Sequence, residues 1–461
     1  MRILVTIANY GFRNKIFIDK LIENYISMPC NTDIVVLSNE PKEFSKKVKV
    51  VVGLPTKDPW SLPFAHKIIF EDNKNIYDLF LYSEDDILIT WKNICAFLDV
   101  TAILPGNDCA GFMRYEVDDY NNISYPDFLG PYHWIADSVK KINNEIIARF
   151  SNFHSGCYIL TKKQLDKAIK SGGFSVKPHK GKYDLLCSAA TDPYTQCGLT
   201  KVICISKIAD FLVHHMSNRY SQEFGISEDD FNRQIKRMLN SNGNISEKEL
   251  IVPIKHLDTY IYDKMYYPQR DNNLIECLSK NDKDILSIGC GAGVNEGVLV
   301  ENQFTVTAIP IDSIIGEIAK IKNINVLEPD IYDSLRKISD RVYDCIIMDD
   351  ILHHFENPKL IFRIVLKYLK KGGKIIVVTP NFYSLRNLRR SFPYPIIRRF
   401  SYKKNKITPL NVRIIENELI KAGLNKISIK HPIEEMKKVK LPEIFGLKRK
   451  LLCDNIYIVG Q

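Results

Sequence analysis

One ten-residue segment constrains the fold of this chain more than any other feature. Residues 284–293 read DILSIGCGAG, an apolar stretch that runs into three glycines at alternate positions. Glycine adopts positive φ and lets other backbone atoms approach closely, so the pattern predicts a tight turn after a buried strand. A helix-like stretch follows, and the free N–H groups at the start of a helix can bind a polar ligand. The segment therefore predicts a strand–turn–helix unit of an α/β fold.

Apolar strands alternate with helical segments on both sides of a polar, turn-rich stretch at 221–250. The predicted strands are RILVTIA, TDIVVLS, YDLFLYSEDDI and KVICIS in the first half and DILSIGC, TVTAIPID, YDCIIMDD and GGKIIVVTP in the second. Helices are predicted in the gaps, and the one in NPKLIFRIVLKYLKKGG should end at its glycine pair. Because such alternation is typical of mostly parallel sheets, we predict two doubly wound α/β domains, residues 1–240 and 241–461.

Composition and charge narrow the classes of protein. No apolar run reaches the roughly 18 residues of a membrane span, and the first residues lack the pattern of a signal peptide. The eleven cysteines are scattered without a C-x-x-C pair, which favours reduced thiols and a cytoplasmic location. Much of the net charge of +10 lies in 386–404 and 436–450. These basic segments predict either a solvated surface or contact with an anionic partner, such as peripheral contact with a membrane.

The motifs that follow the glycine turn resemble those of a known family. The second strand ends in IPID, the segment LEPDIYD follows, and then come YDCIIMDDILHHF and LKKGGKIIVVTPN. In order and spacing, residues 270–430 resemble the class I S-adenosylmethionine-dependent methyltransferases, which have a Rossmann-like fold. The resemblance implies S-adenosylmethionine as cofactor, bound by Gly289, Gly291, Gly293, Asp312, Asp330 and Asp349.

The implied roles differ along this set. The glycines would line the methionine and ribose part of the cofactor, Asp330 would lie beside the adenine amino group, and Asp349 would border the methyl-transfer site. In the family, an acid usually ends the second strand and holds the ribose hydroxyls, but Pro310 stands there in this chain. Either Asp312, two residues later, takes over this role, or ribose binding is weaker.

A dense group of acids and histidines follows the strand YDCIIMDD, namely Asp349, Asp350, His353 and His354. On a short helix, His353 would share a face with both acids. A histidine that titrates near neutrality could deprotonate an acceptor hydroxyl, and an Asp–His pair could instead hold a divalent metal. Helix packing is the alternative role for His354. The predicted catalytic candidates in this half are Asp349, His353 and His354.

An acid triplet, Glu84, Asp85 and Asp86, ends an apolar strand in the first half. Burying carboxylates is costly unless a positive group is present. Mn²⁺ or Mg²⁺ with a nucleotide diphosphate would fit, because these ions prefer oxygen ligands; an exposed acidic turn is the alternative. Together with SNFHSGCYILTKKQL, TDPYTQCGLTKV and FLVHHMSNRY, the triplet gives residues 1–220 a resemblance to glycosyltransferases of the GT-A fold.

This second resemblance implies further roles. The nucleotide-sugar donor would be bound by Thr6, Ala8, Asn9, Tyr10, His66, Lys67, Glu84 and Asp85. The metal would be bound by Asp86 with His214 or His215. Asp192 would be the general base that takes the proton of the acceptor; because proline follows it, a helix N-cap is the alternative. Stacking on sugar rings, or core packing instead, is expected of Trp60, Tyr132, His133 and Trp134.

The two resemblances together predict a bifunctional glycan-building enzyme. The first domain would transfer a sugar, with inversion, from a nucleotide-sugar donor to a glycan or lipid-linked glycan. The second would O-methylate a sugar hydroxyl. One alternative is a nucleic-acid methyltransferase with basic phosphate-binding segments, although the acid triplet opposes nucleic acid as a partner. Another is a methyltransferase whose first domain is an inactive glycan-binding module.

Overall fold

The computed structural model describes residues 1–45, 47–221, 223–252, 263–382, 407–430 and 455–461. The chain divides into two compact units, the N-terminal unit Met1–Ile245 and the C-terminal unit Ser246–Gln461. The sequence places this boundary between residues 240 and 241. The basic segments 386–404 and 436–450 lie outside the described residues. None of the described helices is long and apolar enough to cross a membrane.

Most elements of the N-terminal unit are short strands. Its strands are β1 (Arg2–Asn9), β2 (Asn31–Ser38), β3 (Val48–Val52), β4 (Leu79–Glu84), β5 (Ile87–Leu88), β6 (Asp108–Ala110), β7 (Met113–Val117), β8 (Ile123–Tyr125), β9 (Trp134–Ile142), β10 (Glu145–Phe150), β11 (Cys157–Thr161), β12 (Thr200–Cys204), β13 (Leu212–His215) and β14 (Ile226–Ser227). Its helices are α1 (Lys15–Ile26), α2 (Ala65–Asn73), α3 (Trp91–Ile103), α4 (Lys162–Lys170), α5 (Leu185–Thr195) and α6 (Glu228–Asn240).

The central sheet of this unit has the strand order β11-β4-β1-β2-β3. β1 pairs in parallel with β2 and with β4, whereas β11 is antiparallel to β4. Both β1 and β4 are buried along most of their length, as expected for parallel strands covered on both faces. From β1 the chain builds β2 and β3 on one side and later β4 on the other. Such a reversal is a topological switch point, where the carboxyl ends of two strands leave a crevice for a ligand.

Two further sheets complete the N-terminal unit, with the orders β6-β12-β10-β9 and β14-β8-β7-β13-β5. Both mix pairing directions: β12 is parallel to β6 and antiparallel to β10, and β13 is parallel to β7 and antiparallel to β5. The predicted mostly parallel sheet corresponds to the central sheet, which contains three of the four predicted strands. The fourth, KVICIS, instead lies as β12 in one of these two mixed sheets, which were not predicted. Strands as short as β6 and β8 have too few apolar residues to stand out in the sequence.

The C-terminal unit alternates strands and helices. Its strands are β15 (Asp284–Cys290), β16 (Thr305–Pro310), β17 (Asn325–Val326), β18 (Tyr343–Asp349), β19 (Leu369–Pro380), β20 (Ile427–Lys430) and β21 (Asn455–Gly460). Its helices are α7 (Asn272–Ile275), α8 (Val294–Glu301), α9 (Ser313–Lys320), α10 (Ile331–Lys337), α11 (Pro358–Leu366) and α12 (Val412–Lys421).

A seven-stranded sheet with the order β17-β16-β15-β18-β19-β21-β20 organises this unit. Its neighbours pair in parallel apart from β21, which is antiparallel to β19 and β20. Successive residues of β15 point to opposite faces, so Leu286 and Ile288 belong to one core cluster and Ile285 to another. Cys290 joins the cluster of Ile285 because the register shifts between Ile288 and Cys290. Both faces of the sheet are therefore covered, as in a Rossmann-like fold. The strand order reverses between β15 and β18, which is the switch point of this unit.

The helix α11 ends earlier than its sequence indicates. The glycine pair of NPKLIFRIVLKYLKKGG was the predicted end, but α11 ends at Leu366 and β19 begins at Leu369. Leu369 pairs with Tyr343 of β18, and the register shifts just after this pair. Gly372 has a φ of 78°, which suits such a bulge. Pairing with β18 therefore overrides the local helix signal.

Candidate functional site

The glycine turn connects β15 to α8 at the switch point of the C-terminal unit. Gly289 and Gly293 have φ values of 86° and 69°, which residues with a side chain rarely adopt. A Cβ on Gly291 would lie 2.4 Å from the carbonyl oxygen of Tyr266. The same carbonyl accepts a hydrogen bond of 2.8 Å from the N–H of Ala292. The turn therefore needs its glycines for its own geometry, and the backbone of Tyr266 lies directly against it.

A buried ion pair occupies the end of β18. Lys264 Nζ donates to the carbonyl oxygen of Asp349 and to its carboxylate Oδ2, the latter 2.9 Å away. The Lys264 side chain is 3% exposed. Burial alone would lower the pKa of Lys264, but the charges of Asp349 and Asp350 raise that pKa above its ordinary value. The ammonium group therefore stays charged. Sequence reasoning missed Lys264, because a single lysine outside any motif carries no signal.

Asp350 follows β18 with a φ of 51°, an uncommon conformation for a residue with a side chain. Burial raises the pKa of its carboxyl to about 8, against the opposing charge of Lys264. Asp350 Oδ1 is buried without a hydrogen-bond partner and lies 3.9 Å from His353 Nδ1. His353 is fully buried, and its ring centroid is 4.1 Å from that of His354. The structure thus brings Asp350 and His353 together, whereas Asp349 is paired with Lys264.

The other two acids predicted to hold the cofactor both begin helices. Asp312 is the N-cap of α9, and its Oδ1 accepts two backbone N–H groups at 2.9 and 2.8 Å. Asp330 caps α10 in the same way, with two hydrogen bonds of 2.9 Å. Asp312 is 2% exposed, whereas Asp330 lines an open crevice of about 510 Å³. Capping accounts for one oxygen of each carboxylate. Their contacts with a cofactor, and any substitute for an acid at Pro310, stay predictions.

At the switch point of the N-terminal unit, Asn9 ends β1 beside the acid triplet. Asn9 Nδ2 and Asn14 Nδ2 donate to the two oxygens of Asp85 at 2.6 and 2.7 Å. Lys42 Nζ donates in turn to the carbonyl oxygen of Asn9 at 3.1 Å. Burial raises the pKa of Asp85 to about 6, although the two amide hydrogen bonds oppose this. The predicted residues Asn9 and Asp85 therefore meet at the edge of the sheet.

Asp86 belongs to a buried chain of charged groups. His215 Nε2 is 3.1 Å from Asp86 Oδ2, and His215 Nδ1 is 2.5 Å from Glu116 Oε1. Burial disfavours a charged imidazole, but the hydrogen bonds with Asp86 and Glu116 raise the pKa of His215 to about 9. Burial alone would raise the pKa of Asp86, yet His215 holds it below its ordinary value. The sequence offered no signal for Glu116, which reaches His215 only because β7 pairs with β13.

Glu84 differs from Asp85 and Asp86 because one of its carboxylate oxygens is buried without a hydrogen bond. Its Oε1 is buried with no hydrogen-bond partner, and His154 Nε2 lies 3.9 Å away. Burial raises the pKa of Glu84 to about 7, helped by the neighbouring charge of Asp86 and opposed by Arg114. Arg114 is itself buried, and its Nε donates to Asp127 Oδ1 at 2.8 Å. Asp85 and Asp86 are thus buried and Glu84 is partly buried, so the alternative of an exposed acidic turn is wrong.

Of the two histidines predicted for a metal, His215 reaches the acids and His214 does not. Successive residues of a strand point to opposite faces. His214 Nε2 is 3.1 Å from Asn218 Oδ1, and its ring stacks on Tyr115 at 4.9 Å. Within the part of the chain that the structure describes, no group of three or more His, Cys, Asp or Glu side chains could hold a metal ion. Among the described residues, Asp86 and His215 are the predicted metal ligands that lie together.

Asp192 is not a helix N-cap. The helix α5 begins at Leu185, so both Asp192 and Pro193 lie inside it. Asp192 has no exposed surface: it pairs with Lys67 Nζ, and its Oδ1 is 3.0 Å from His179 Nε2. Burial lowers the pKa of Lys67, although Asp192 opposes the shift. The predicted base and the predicted phosphate-binding lysine are thus bonded to each other.

The remaining donor-binding candidates separate into buried and exposed residues. Thr6 lies inside β1 rather than in a loop and is fully buried. His66 is also fully buried, with Nε2 2.5 Å from the Tyr158 hydroxyl, and burial lowers its pKa to about 3. Neither side chain is available to a nucleotide. Ala8 is half-buried near the end of β1, and Tyr10, just beyond it, is 52% exposed.

The predicted sugar-stacking residues also differ in exposure. Trp134 is 1% exposed and packs edge-on against Phe150, with ring centroids 5.0 Å apart, so it is a core residue. His133 is buried as well, and burial lowers its pKa to about 4. Tyr132 is half-buried, and Trp60 is 53% exposed. Trp60 therefore has the most surface available for a sugar among these four.

Comparisons with known proteins concern the C-terminal unit. Residues 266–429 match the model of a family described as a methyltransferase domain. Among solved structures, the chain is similar to a SAM-dependent methyltransferase from Archaeoglobus fulgidus, with 18% identity, a TM-score of 0.32, and coverage of 39% of this chain and 86% of that one. A SAM-dependent methyltransferase from Thermotoga maritima is similar at 19% identity, with a TM-score of 0.31 and coverage of 41% and 86%. No protein with a curated description matches the chain. Residues 266–429 are thus a methyltransferase domain.

Proposed function

We propose that the C-terminal unit transfers a methyl group from S-adenosylmethionine to a sugar hydroxyl. The observation that carries the proposal is the glycine turn at the end of β15, next to the acidic end of β18, inside a segment that matches a methyltransferase domain. The bound cofactor supplies an activated methyl group. In this proposal the turn brings backbone atoms close to the cofactor. Asp330, which lines an open crevice, lies beside the adenine, and Asp349 borders the methyl group that is transferred. Holding cofactor and acceptor in line is the main contribution of the protein.

The acceptor hydroxyl must lose a proton, and the partly exposed Asp350 is our candidate for taking it, with the fully buried His353 behind it. Asp350 Oδ1 has no hydrogen-bond partner and lies 3.9 Å from His353 Nδ1. A base must reach the proton directly or through one water. Asp349 is less suited, because its carboxylate is bonded to Lys264. His354, which contacts the ring of His353, has a packing role in this scheme.

The test is calorimetric titration of the full chain with S-adenosylmethionine and S-adenosylhomocysteine, followed by methyl transfer to glycans and to RNA. Binding with methylation of a glycan supports the proposal. Absence of cofactor binding refutes it for the whole unit. Methylation of RNA alone, with affinity that falls steeply with salt, would instead support the nucleic-acid alternative.

For the N-terminal unit we propose transfer of a sugar from a nucleotide-sugar donor to a glycan or lipid-linked glycan, assisted by Mn²⁺ or Mg²⁺. The supporting observation is the acid triplet at a switch point, with Asp85 and Asp86 buried, a buried oxygen of Glu84 without a hydrogen bond, and a His215–Asp86 contact of 3.1 Å. Asp86 and His215 would hold the ion, and diphosphate oxygens and water would complete its coordination. The ion would neutralise the leaving diphosphate. We place this reaction in the cytoplasm, with basic segments touching the membrane surface where the acceptor is lipid-linked.

This second activity is tested by release of nucleoside diphosphate from a panel of nucleotide sugars with and without Mn²⁺. Metal-dependent release that requires a glycan acceptor supports the proposal. Glycan binding without any release would identify the N-terminal unit as an inactive glycan-binding module.

A further inference from the structure

The segment Asp263–Tyr267 lies against both parts of the proposed cofactor site. Its Tyr266 carbonyl is bonded to the N–H of Ala292 in the glycine turn, at 2.8 Å. Its Lys264 ammonium is bonded to the carbonyl oxygen and the carboxylate of Asp349. One short segment therefore occupies hydrogen-bonding groups at the ends of both β15 and β18.

Lys264 is paired with Asp349, and two further carboxyl groups act on its ammonium group. The carboxylates of Asp349, Asp350 and Glu296 all act on its ammonium group. Glu296 is 6% exposed, and its Oε1 accepts a hydrogen bond of 2.6 Å from the Ser287 hydroxyl. Asp349 is therefore balanced by the Lys264 ammonium group in a largely buried place, and a second cation could bind Asp349 only by displacing that group.

The methionine end of S-adenosylmethionine carries two positive groups, the sulfonium and the ammonium, and one carboxylate. We propose that Lys264 is a specificity-determining residue of the cofactor site, whose ammonium group competes with the cationic methionine end of S-adenosylmethionine for Asp349. The inference rests on the proposed methyltransferase function of this unit. It adds that the enzyme weakens its own hold on the cofactor through one lysine.

Competition has a direction that other roles of Lys264 lack. A lysine that bound the methionine carboxylate would strengthen binding of S-adenosylmethionine and S-adenosylhomocysteine alike. A lysine that competes weakens both, and it weakens S-adenosylmethionine more, because that molecule has the extra sulfonium charge. A catalytic base is excluded, since the neighbouring acids raise the pKa of Lys264.

The experiment is calorimetric titration of the wild-type chain and Lys264→Met with both molecules. We expect the Kd of S-adenosylmethionine to fall by about tenfold, the equivalent of about 1.4 kcal/mol, and that of S-adenosylhomocysteine to fall less. The matched control is Lys374→Met, because Lys374 also forms a nearly buried pair, with Asp282 at 2.8 Å. Its partner Asp282 precedes the amino end of β15, opposite the end that carries the glycine turn, so this variant should leave both Kd values unchanged.

An unchanged or higher Kd of S-adenosylmethionine in Lys264→Met overturns the inference while leaving the proposed function intact. Absence of binding to the wild-type chain refutes the proposed function itself. A second variant, Lys264→Arg, keeps the positive charge and should therefore bind S-adenosylmethionine with a Kd within about twofold of wild type. A fall in Kd as large as that of Lys264→Met would contradict competition by charge.

Discussion

The two switch points of this chain differ in the groups that they present at the ends of their strands. In each, two parallel strands end side by side, β1 with β4 and β15 with β18. In the N-terminal unit the edge carries side chains: Asn9 and Asn14 donate to Asp85, and Lys42 donates to the carbonyl oxygen of Asn9. In the C-terminal unit it carries a glycine turn, and a Cβ on Gly291 would already meet backbone. The first edge can recognise a ligand through charge, and the second through close backbone approach.

The two edges also share a pattern of paired and unpaired acids. Asp86 is bonded to His215, and Asp349 to Lys264. The neighbouring acids Glu84 and Asp350 each keep a buried oxygen without a hydrogen bond, and burial raises their pKa values to about 7 and about 8. Each edge thus combines an acid that is bonded to a basic residue with an acid whose pKa is raised toward or above neutrality. We therefore expect the reaction proposed for each unit to depend on the acids at these strand ends and not on acids elsewhere.

The largest change in cofactor affinity is expected at Gly291. In Gly291→Val the new side chain would overlap the Tyr266 carbonyl, so we expect affinity for S-adenosylmethionine to fall by about 1,000-fold, or about 4 kcal/mol. Calorimetry measures this, and circular dichroism checks folding. The control is Gly297→Ala in α8, whose Cβ would meet only the flexible Lys322 side chain at 3.2 Å; alanine there should stabilise the helix slightly. Normal affinity in Gly291→Val would show that backbone approach is not how this edge binds.

An acid away from both edges should matter for stability and not for chemistry. Asp192→Ala leaves Lys67 buried and unpaired, so we expect a loss of about 3–5 kcal/mol in the free energy of unfolding, measured by urea titration. The double variant Lys67→Met with Asp192→Leu leaves no buried charge and should recover most of that stability. If Asp192→Ala instead kept its stability and lost sugar transfer, Asp192 would be the general base predicted from the sequence.

The side-chain edge is tested through the metal. Asp86→Asn should reduce Mn²⁺-dependent release of nucleoside diphosphate by about 100-fold, because the proposed ion loses its anionic ligand. Initial rates over a range of Mn²⁺ concentrations measure the change. His214→Gln is the control, since His214 is turned to Asn218 and Tyr115 and its loss should leave the rate unchanged. Equal rates for wild type and Asp86→Asn would remove Asp86 from the site.

The smallest expected effect is a pH dependence at Asp350. Its folded-state pKa of about 8 lies above that of an unfolded aspartate, so its contribution to stability is present at acid pH and is lost as pH rises through about 8. Between about pH 6 and about pH 9, wild type should lose about 1–2 kcal/mol that Asp350→Asn keeps. Urea unfolding at both values measures this, and asparagine tolerates the left-handed backbone. Asp349→Asn is the control, which should destabilise at both pH values because Lys264 loses its partner. Identical pH slopes for wild type and Asp350→Asn would contradict the raised pKa.

Much of the C-terminal edge could be predicted because its signals are local. An apolar strand, a turn that needs glycine at 289 and 293, and an acid at the end of β18 are all visible in short segments. Asn9 and the acid triplet could be brought together by the rule that parallel strands end at one edge. Both predicted binding sites, for the cofactor and for the donor, therefore depend on residues at the carboxyl ends of neighbouring strands.

What failed depended on distant partners. Lys67 pairs with a residue 125 positions away, and that pairing, not the proline after Asp192, sets the environment of both. His214 and His215 are adjacent in sequence, but alternation along β13 sends them to opposite faces. Lys264 reaches Asp349 across 85 positions without any motif. Short-range sequence patterns predict helices and strands well, but they do not predict which buried charged residues pair with each other.

The place of β21 in the C-terminal sheet has a consequence for the order in which this unit is made. β21 pairs with β19 on one side and β20 on the other, yet it follows both in the chain. During synthesis the growing chain therefore presents β19 with an open edge until β21 has left the ribosome, and open strand edges are where chains associate wrongly. The sheet of this unit is therefore completed late in synthesis. Until β21 pairs with β19, a chaperone or a neighbouring chain would compete for the exposed edge of β19.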